Sequence, residues 1–345
     1  MSKYSLNVVD IRRETPEACT ICFKQPGLRK IKYIAGQYIT LNFRINGRKY
    51  ARAYSFSSSP SCNSNLEVTV KKVPNGIVSN YINNELNIGD VVEVSEPMGN
   101  FVVDDSNLSG SVYLWGVGSG ITPLFSIVNE LLNNESSKSI HLIYGNKNTD
   151  STIFYNQLKC LKEKHPSIFK MTNFFSQIDD NSESYIFKKG RINEDFITNL
   201  ISQDNNHKDS IHYVCGPSSL KNVIKSVLID FDIPSTSIFN EEFELVINPK
   251  ELDLIENSNV KIFFNGNELD IFVPKGKNIL EVALDHDIEI PYSCQTGNCN
   301  TCKARVSQGQ IKMLGLDIQR EDLAKNEFLL CCSYPLTNQV ILEVE

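Results

Sequence analysis

The sequence predicts three successive folding units: a small antiparallel β-barrel, a parallel α/β sheet, and a compact α+β unit at the C-terminal end. Three observations predict them. Up to about residue 103, short alternating segments such as Tyr38–Phe43 and Leu66–Val70 are punctuated by Gly36, Gly47, Gly89 and Gly99, the rhythm of short antiparallel strands. From about 111 to 240 apolar strands alternate with helical periodicity, which implies a parallel sheet. Beyond 259, two strands and a helix lead into Cys294-x4-Cys299-x2-Cys302, with Cys331 far downstream.

Composition narrows the possibilities before any motif is read. The 345 residues suffice for two or three cores. A formal charge of −7 argues against a nucleic-acid footprint, which would appear as clustered Lys and Arg. No apolar run of signal-peptide length follows Met1, and the apolar stretch 111–128 is broken by three glycines, a proline and two serines. Ten cysteines without an export signal suit a reducing, cytoplasmic setting. Asn133–Ser137 and Gln203–His207 read as polar surface loops. We expect units at 1–103, 104–246 and 259–345, with 247–258 as a charged connector.

In the first unit, Arg52-Ala53-Tyr54-Ser55-Phe56-Ser57-Ser58-Ser59-Pro60 gathers a guanidinium, an aromatic ring and hydroxyls in one strand and turn. Arg pairs with pyrophosphate, Tyr stacks on a flat ring system, and Ser can hydrogen-bond a ring nitrogen. A Ser-rich turn around a buried tyrosine explains the same residues equally well. Gly76-Ile77-Val78-Ser79 is a second candidate phosphate-binding helix start. Cys19 and Cys22 have redox-motif spacing, but they lie in an alternating strand and read as barrel packing.

The second unit opens with strand Val112–Trp115, followed by Gly116-Val117-Gly118-Ser119-Gly120-Ile121-Thr122-Pro123. Leu124, Ile127, Val128 and Leu131 then recur on one helical face. Glycines there let backbone approach a pyrophosphate, with Thr122 placed to N-cap the helix and Pro123 at its first position. No acidic residue completes the usual dinucleotide fingerprint, so the loop is a variant. Cys215-Gly216-Pro217 ends a later strand on the same sheet edge, although Cys215 taken alone reads as a small hydrophobe at a strand end. The five histidines, His141, His165, His207, His212 and His286, read as structural or surface groups.

In the third unit the x4/x2 cysteine spacing is the pattern of a plant-type [2Fe–2S] centre. Zinc sites usually come as paired C-x2-C or Cys/His sets. Cys331 and Cys332 are neighbours, and on an extended segment their sulfurs would point to opposite faces.

Taken together in this order, these motifs resemble the ferredoxin–NADP reductase superfamily in its arrangement of flavin barrel, nicotinamide domain and plant-type ferredoxin domain. The resemblance is greatest to reductase components of oxygenases, the phenylacetyl-CoA epoxidase type among them, through Ser57–Pro60, Tyr144–Lys147, Phe175–Gln177 and Gly190–Ile192. It implies FAD and a β-grasp ferredoxin fold. Arg52 and Ser79 would hold flavin phosphates beside Gly76 and Val78, Tyr54 would stack on the isoalloxazine, and Ser55 would hydrogen-bond its N5. Cys215, with Gly216 and Pro217, would lie near the nicotinamide, and Gly116, Gly118, Gly120, Thr122 and Pro123 would carry the pyrophosphate. Glu241 matches the acidic residue closing the flavin site, with Glu242 as the alternative register, and Phe243 matches an aromatic near the other flavin face. The ligand four residues before Pro335 selects Cys331. Three positions depart from the family pattern: Lys147 stands where arginine is common, Asn300 where a small residue is usual, and Cys332 where glutamine is common.

The implied function is electron transfer from NAD(P)H through FAD and [2Fe–2S] to a partner oxygenase or other redox protein, with no nucleic-acid or membrane partner. A flavin belongs between the other two because it takes a hydride yet releases single electrons. The alternatives are a stand-alone flavin reductase or oxidase of a small molecule and a non-enzymatic zinc protein. Residues 259–345 carry twelve acidic and eight basic side chains, which suits docking to a basic patch. Lys147 and Arg191 could meet a 2′-phosphate, yet no arginine follows Ser176, which leaves NADH and NADPH both open.

Overall fold

The structure is a computed structural model that describes residues 3–27, 29–103, 110–134, 139–178, 187–316 and 320–344. Glu135–Ser137 of the first expected surface loop lie outside them. The chain divides into two compact units, Met1–Phe43 with Ala53–Glu242, and Arg44–Arg52 with Phe243–Glu345.

The chain begins with an antiparallel sheet whose residues outside Arg44–Arg52 belong to the first unit. Its strands are β1 (Lys3–Thr15), β2 (Ala18–Phe23), β3 (Tyr38–Ile45), β4 (Arg48–Ser55), β5 (Leu66–Lys71) and β6 (Val91–Ser95), with helix α1 (Ile77–Asn84) before β6. The ladder order is β4-β3-β6-β1-β2-β5. Phe56, just past β4, pairs with Val68 of the opposite edge strand β5. Alternation along β2 predicts one exposed face, but all six of its residues are buried. Cys19 and Cys22 are therefore packing residues. Burial, with Glu67 second, pushes the Cys22 thiol up to about 12, so it stays protonated and unreactive.

Strands and helices then alternate: β7 (Val112–Val117), α2 (Ile121–Asn133), β8 (Ile140–Asn146), α3 (Tyr155–Lys164), β9 (Phe169–Phe175), β10 (Phe187–Lys189), α4 (Glu194–Ser202), β11 (Ile211–Cys215), α5 (Ser218–Asp230) and β12 (Ile238–Glu241). Every pairing is parallel, in the order β10-β9-β8-β7-β11-β12. The period-two pleat divides the side chains between two cores. Leu114, Leu142 and Tyr213 pack against α2 and α3, while Trp115, Ile143 and Val214 pack against α4 and α5. In the second core, His212 accepts a hydrogen bond from Trp115 Nε1 at 3.2 Å and has Ser210 Oγ 2.8 Å from Nε2. Burial lowers its pKa to about 3, so it is a neutral core residue.

The second unit contains the short helix α6 (Pro249–Leu252), strands β13 (Ser258–Phe264) and β14 (Asn267–Val273), helix α7 (Ile279–Asp285), then β15 (Lys303–Gln308), β16 (Ile311–Met313), β17 (Glu327–Leu329), β18 (Ser333–Pro335) and β19 (Gln339–Val344). A five-stranded mixed sheet runs β14-β13-β19-β15-β17, and β16 pairs with β18 apart from it. Asn278 caps α7 by accepting from Glu281 N at 2.8 Å, and Ile279, Leu280, Val282 and Ala283 bury against the sheet. Within the stretch expected as connector, Ile255 is buried with Leu314 and Tyr334. Among the described residues no helix is long and apolar enough to cross a membrane.

Candidate functional site

The loop after β7 differs from its sequence reading in a way that packing explains. Gly118–Gly120 forms a 3₁₀ turn, and Gly120, not Thr122, is the N-cap of α2. Thr122 is already inside the helix, its hydroxyl donating back to Ser119 O at 3.0 Å, and Pro123 follows one residue deeper. The three glycines do different work. A Cβ on Gly116 would press on Leu124 at 2.9 Å, and one on Gly120 would run into the carbonyl of Cys215. Only at Gly118, at φ +56, would a Cβ meet nothing nearer than Lys71 Nζ at 4.0 Å. Tyr144 OH donates to its carbonyl at 3.0 Å.

Parallel pairing brings the ends of β11 and β12 side by side, with Cys215 opposite Glu241 and, on its other side, opposite Gly116. Ser55, 4% exposed, donates from Oγ to Glu241 Oε2 at 3.1 Å. Three residues distant in sequence thus meet at the C-terminal edge of the sheet, where α/β folds bind ligands. Burial pushes the Glu241 carboxyl up to about 8, and the Ser55 hydrogen bond only partly offsets it. Burial also raises the Cys215 thiol, with the charges of Glu241 and Glu242 adding to it. Glu242 instead pairs with Lys221. The geometry separates the two adjacent glutamates that sequence left in alternative register.

Other expected flavin residues sit as follows. Tyr54 is half-buried beside Ser55 on β4. Gly76 is the N-cap of α1 without a side-chain cap, Val78 is buried in that helix, and Ser79 Oγ accepts from Val73 N at 3.1 Å. Arg52 and Phe243 fall in the second unit, where Arg52 Nη1 donates to Ala51 O at 2.8 Å and Phe243 is exposed. The serines after Ser55 turn inward. Ser57 accepts from Thr69, Ser58 meets Tyr33 OH, and Ser59 and Ser61 donate to Glu130 of α2 at 2.6 Å each. Ser59 and Ser61 are a structural clasp between the turn and α2. Buried polar Ser55 with a neutral carboxyl beside it, a stacking-capable tyrosine and a helix start at Gly76 fit a flavin, whose ring nitrogens and phosphates need such partners.

A cavity of about 550 Å³ opens beside Gly118 along the same sheet edge. Lys71, Lys147, Ser176, Arg191, Pro217 and Leu220 are among its walls. Nothing in Val70-Lys71-Lys72 marks Lys71 as a site residue until the fold brings β5 to the loop.

In the second unit the four cysteines converge. Cys294 interacts with Cys299 and Cys331, and Cys302 with Cys331, which lowers the pKa values of the Cys294 and Cys302 thiols and raises those of Cys299 and Cys331. The loop is tightly wound, with Gln295 at φ +59 and Gly297 at φ +72. A Cβ on Gly297 would collide with Leu316. Asn300, the departure from the family pattern, is used: it donates to Asp322 at 3.1 Å and accepts from Arg320, which also binds Gly297 O. Gln295 Nε2 donates to Ala51 O at 3.1 Å, and Ala51 N donates to Tyr292 OH at 2.9 Å, contacts that sequence did not suggest. Leu330–Cys332 is a 3₁₀ turn, not an extended segment, so the opposite-face argument for choosing between the two cysteines does not hold. Cys331 interacts with Cys294, Cys302 and Cys332, while Cys332 Sγ donates to Leu329 O at 3.3 Å and lies beside Gly297 of the loop. Among the described residues no three His, Cys, Asp or Glu side chains are drawn together as a site for a single ion. Four convergent cysteine sulfurs, three on one loop and Cys331 from the Leu330–Cys332 turn, fit a [2Fe–2S] cluster, in which two thiolates serve each iron.

Three domain families match the chain in order: the oxidoreductase FAD-binding domain over residues 5–103, the oxidoreductase NAD-binding domain over 114–226, and the 2Fe-2S iron-sulfur cluster binding domain over 262–336. Modules of this kind make the protein an NAD(P)H-dependent oxidoreductase that uses FAD and a [2Fe–2S] cluster. The chain has the domain architecture of the ferredoxin–NADP reductase superfamily and is related to the reductase components of oxygenases and epoxidases. It is 28% identical to a component of the 1,2-phenylacetyl-CoA epoxidase of Escherichia coli K12, covering 99% of this chain and 98% of that one. It is 26% identical to the ferredoxin reductase component of 3-ketosteroid-9-alpha-monooxygenase from Rhodococcus rhodochrous, covering 98% and 96%. Among solved structures, phthalate dioxygenase reductase shares the fold with a TM-score of 0.71 at 21% identity, over 99% of this chain and 98% of that one.

Proposed function

We propose that this protein is the electron-supplying component of a separate oxygenase, taking hydride from NAD(P)H and delivering single electrons through the cluster. The observation that carries this reading is the meeting of Ser55, Cys215 and Glu241 at one sheet edge, in a chain that also gathers Cys294, Cys299, Cys302 and Cys331. Relatives named as epoxidase and monooxygenase components support the oxygenase partner. Ten free cysteines support a reducing, cytoplasmic setting. On this reading the antiparallel sheet closes as a flavin barrel through the Phe56–Val68 bridge, and the mixed sheet is a β-grasp fold.

Each residue then has a task. FAD, when bound, supplies the conversion of a two-electron hydride into one-electron steps. Tyr54 provides a stacking face, Ser79 holds a phosphate oxygen at the helix start after Gly76, and Arg52 is assigned to the flavin phosphates by the family resemblance. Ser55 presents its hydroxyl to the hydride-accepting nitrogen, and Glu241, neutral below about pH 8, holds a proton one hydrogen bond away. Cys215 stays a neutral thiol and offers the nicotinamide a small, apolar wall. Cys294, Cys299, Cys302 and Cys331 hold the cluster. Purified protein should contain one flavin and two irons per chain and reduce ferricyanide or cytochrome c from NAD(P)H. Zinc in place of iron, or the absence of flavin, would overturn the reading.

A further inference from the structure

The cysteine loop is held by a charge from outside the cysteine motif. Arg320, which precedes β17 in the chain, lays its guanidinium on the loop: Nη1 donates to Gly297 O and Nη2 to Asn300 Oδ1. Asp322 aims the fork, accepting from Arg320 Nε on Oδ1 and from Nη2 on Oδ2, both at 2.8 Å. Asn300 Nδ2 closes the ring by donating to Asp322 Oδ2 at 3.1 Å. This clasp depends on one of the three departures from the family pattern, since a small residue at position 300 would offer neither the acceptor nor the donor. A planar guanidinium has donors enough for three partners at fixed angles, which a lysine ammonium does not.

The placement has an electrostatic consequence. Gly297 stands two residues from Cys299 and three from Cys294, which limits their Cα separations to about 7 and 11 Å. The guanidinium bonded to Gly297 O is therefore within reach of the charge on both sulfurs. Its pKa is raised, first by the hydrogen bond to Asp322 against the opposing effect of burial, then by the charges of Asp322, Cys299 and Cys294. Arg320 in turn holds the Asp322 carboxyl well below the usual carboxylate range, so both members of the pair are charged. They are not equally screened: the Arg320 side chain is 15% exposed and that of Asp322 50%. Water damps the carboxylate more than the guanidinium, and the side of the pair that meets the loop is positive.

Reduction of the cluster passes one electron from the reduced flavin, which is oxidised, to the iron–sulfur group. No bond forms or breaks, and the site becomes more negative by one charge. A fixed cation beside the thiolates stabilises that product more than the oxidised state. We propose that Arg320 raises the reduction potential of the cluster, drawing the electron from flavin to cluster, and that Asn300 and Asp322 hold it in position to do so. The inference rests on the [2Fe–2S] reading of the four cysteines given above.

The test is an anaerobic redox titration of the full-length holoprotein, followed by the electron paramagnetic resonance signal of the reduced cluster, with iron content measured alongside. A unit charge about 10 Å from another, in an effective dielectric of about 20, changes an equilibrium constant about tenfold. Arg320→Gln should therefore lower the constant for one-electron reduction about tenfold, a shift of about 59 mV to more negative potential. Arg320→Lys keeps the charge and should stay within about threefold of the parent. Asp322→Asn, which removes the opposing charge, should move the potential the other way. An Arg320→Gln protein that keeps its iron at an unchanged potential would overturn this inference, as would equal shifts in the Gln and Lys variants. If Arg320→Gln does not retain its cluster, Asp322→Asn decides: a more positive potential upholds the inference, and an unchanged or more negative one overturns it. A parent protein without iron or without the signal would instead overturn the function proposed above.

Discussion

Replacing Glu241 by Gln tests the electrostatics of the proposed hydride site directly. Its carboxyl is moved from 4.5 to about 8, chiefly by burial. At about 1.4 kcal/mol per pH unit, the folded protein opposes ionisation of this group by about 5 kcal/mol. The sign follows from proton binding: between about pH 4.5 and 8 the folded chain keeps a proton that the unfolded chain has released. The contribution of Glu241 to stability is thus fully present below pH 4.5 and lost as pH rises toward 8. Glutamine keeps an acceptor for Ser55 but does not ionise, so the stability of Glu241→Gln relative to the parent should improve by about 1.4 kcal/mol per pH unit across that window. Infrared difference spectra of the full-length protein should show a protonated carboxyl band, absent in Glu241→Gln, with a midpoint near pH 8. Ser55→Ala should raise the midpoint by about one to two pH units, because a hydrogen bond to a charged acceptor contributes about 1.5–3 kcal/mol. In stopped flow, flavin reduction should change across the same pH in the parent and lose that step in Glu241→Gln. A carboxyl titrating near 4.5, or stability curves that run parallel from pH 5 to 8, would refute the assignment of Glu241 as a proton-holding group.

Other expectations follow from the same contacts. Cys331→Ser should abolish or strongly destabilise the cluster, whereas Cys332→Ser should leave its electron paramagnetic resonance signal nearly unchanged; the reverse outcome would make Cys332 the ligand. His212, held neutral by burial with a pKa of about 3, should destabilise the fold progressively as pH drops below about 6.5. Its imidazole carbon shifts should remain those of the neutral ring at pH 5, and a protonated ring there would contradict the packing. Glu130→Ala should lower unfolding free energy by about 2–4 kcal/mol, since the Ser59, Ser61 and Asn134 donors lose their shared acceptor. An unchanged denaturant midpoint would show the clasp to be dispensable.

The sequence by itself determined what is local. Period-two and period-3.6 patterns decided which segments pair and which coil, and the x4/x2 cysteine spacing decided the chemistry of the C-terminal loop, because thiolates that close together can meet on one cluster whatever surrounds them. It also located the Gly116–Gly120 loop, although not its division of labour, since only contact with Leu124 and Cys215 shows which glycines serve packing and which faces the cavity. Choices between neighbours were decided by tertiary structure. Glu241 and Glu242 are equivalent in sequence until β11 and β12 pair in register, after which one meets Ser55 and the other Lys221. Cys331 and Cys332 lie in a 3₁₀ turn that strand geometry would not predict. Ser57, Ser58 and Ser59 look like ligand groups because a hydroxyl's partner is invisible in sequence; folding gives them to Thr69, Tyr33 and Glu130. Lys147 and Arg191, 44 positions apart, become one basic end of a cavity only because β8, β9 and β10 lie side by side, and burial alone gives Glu241 its proton.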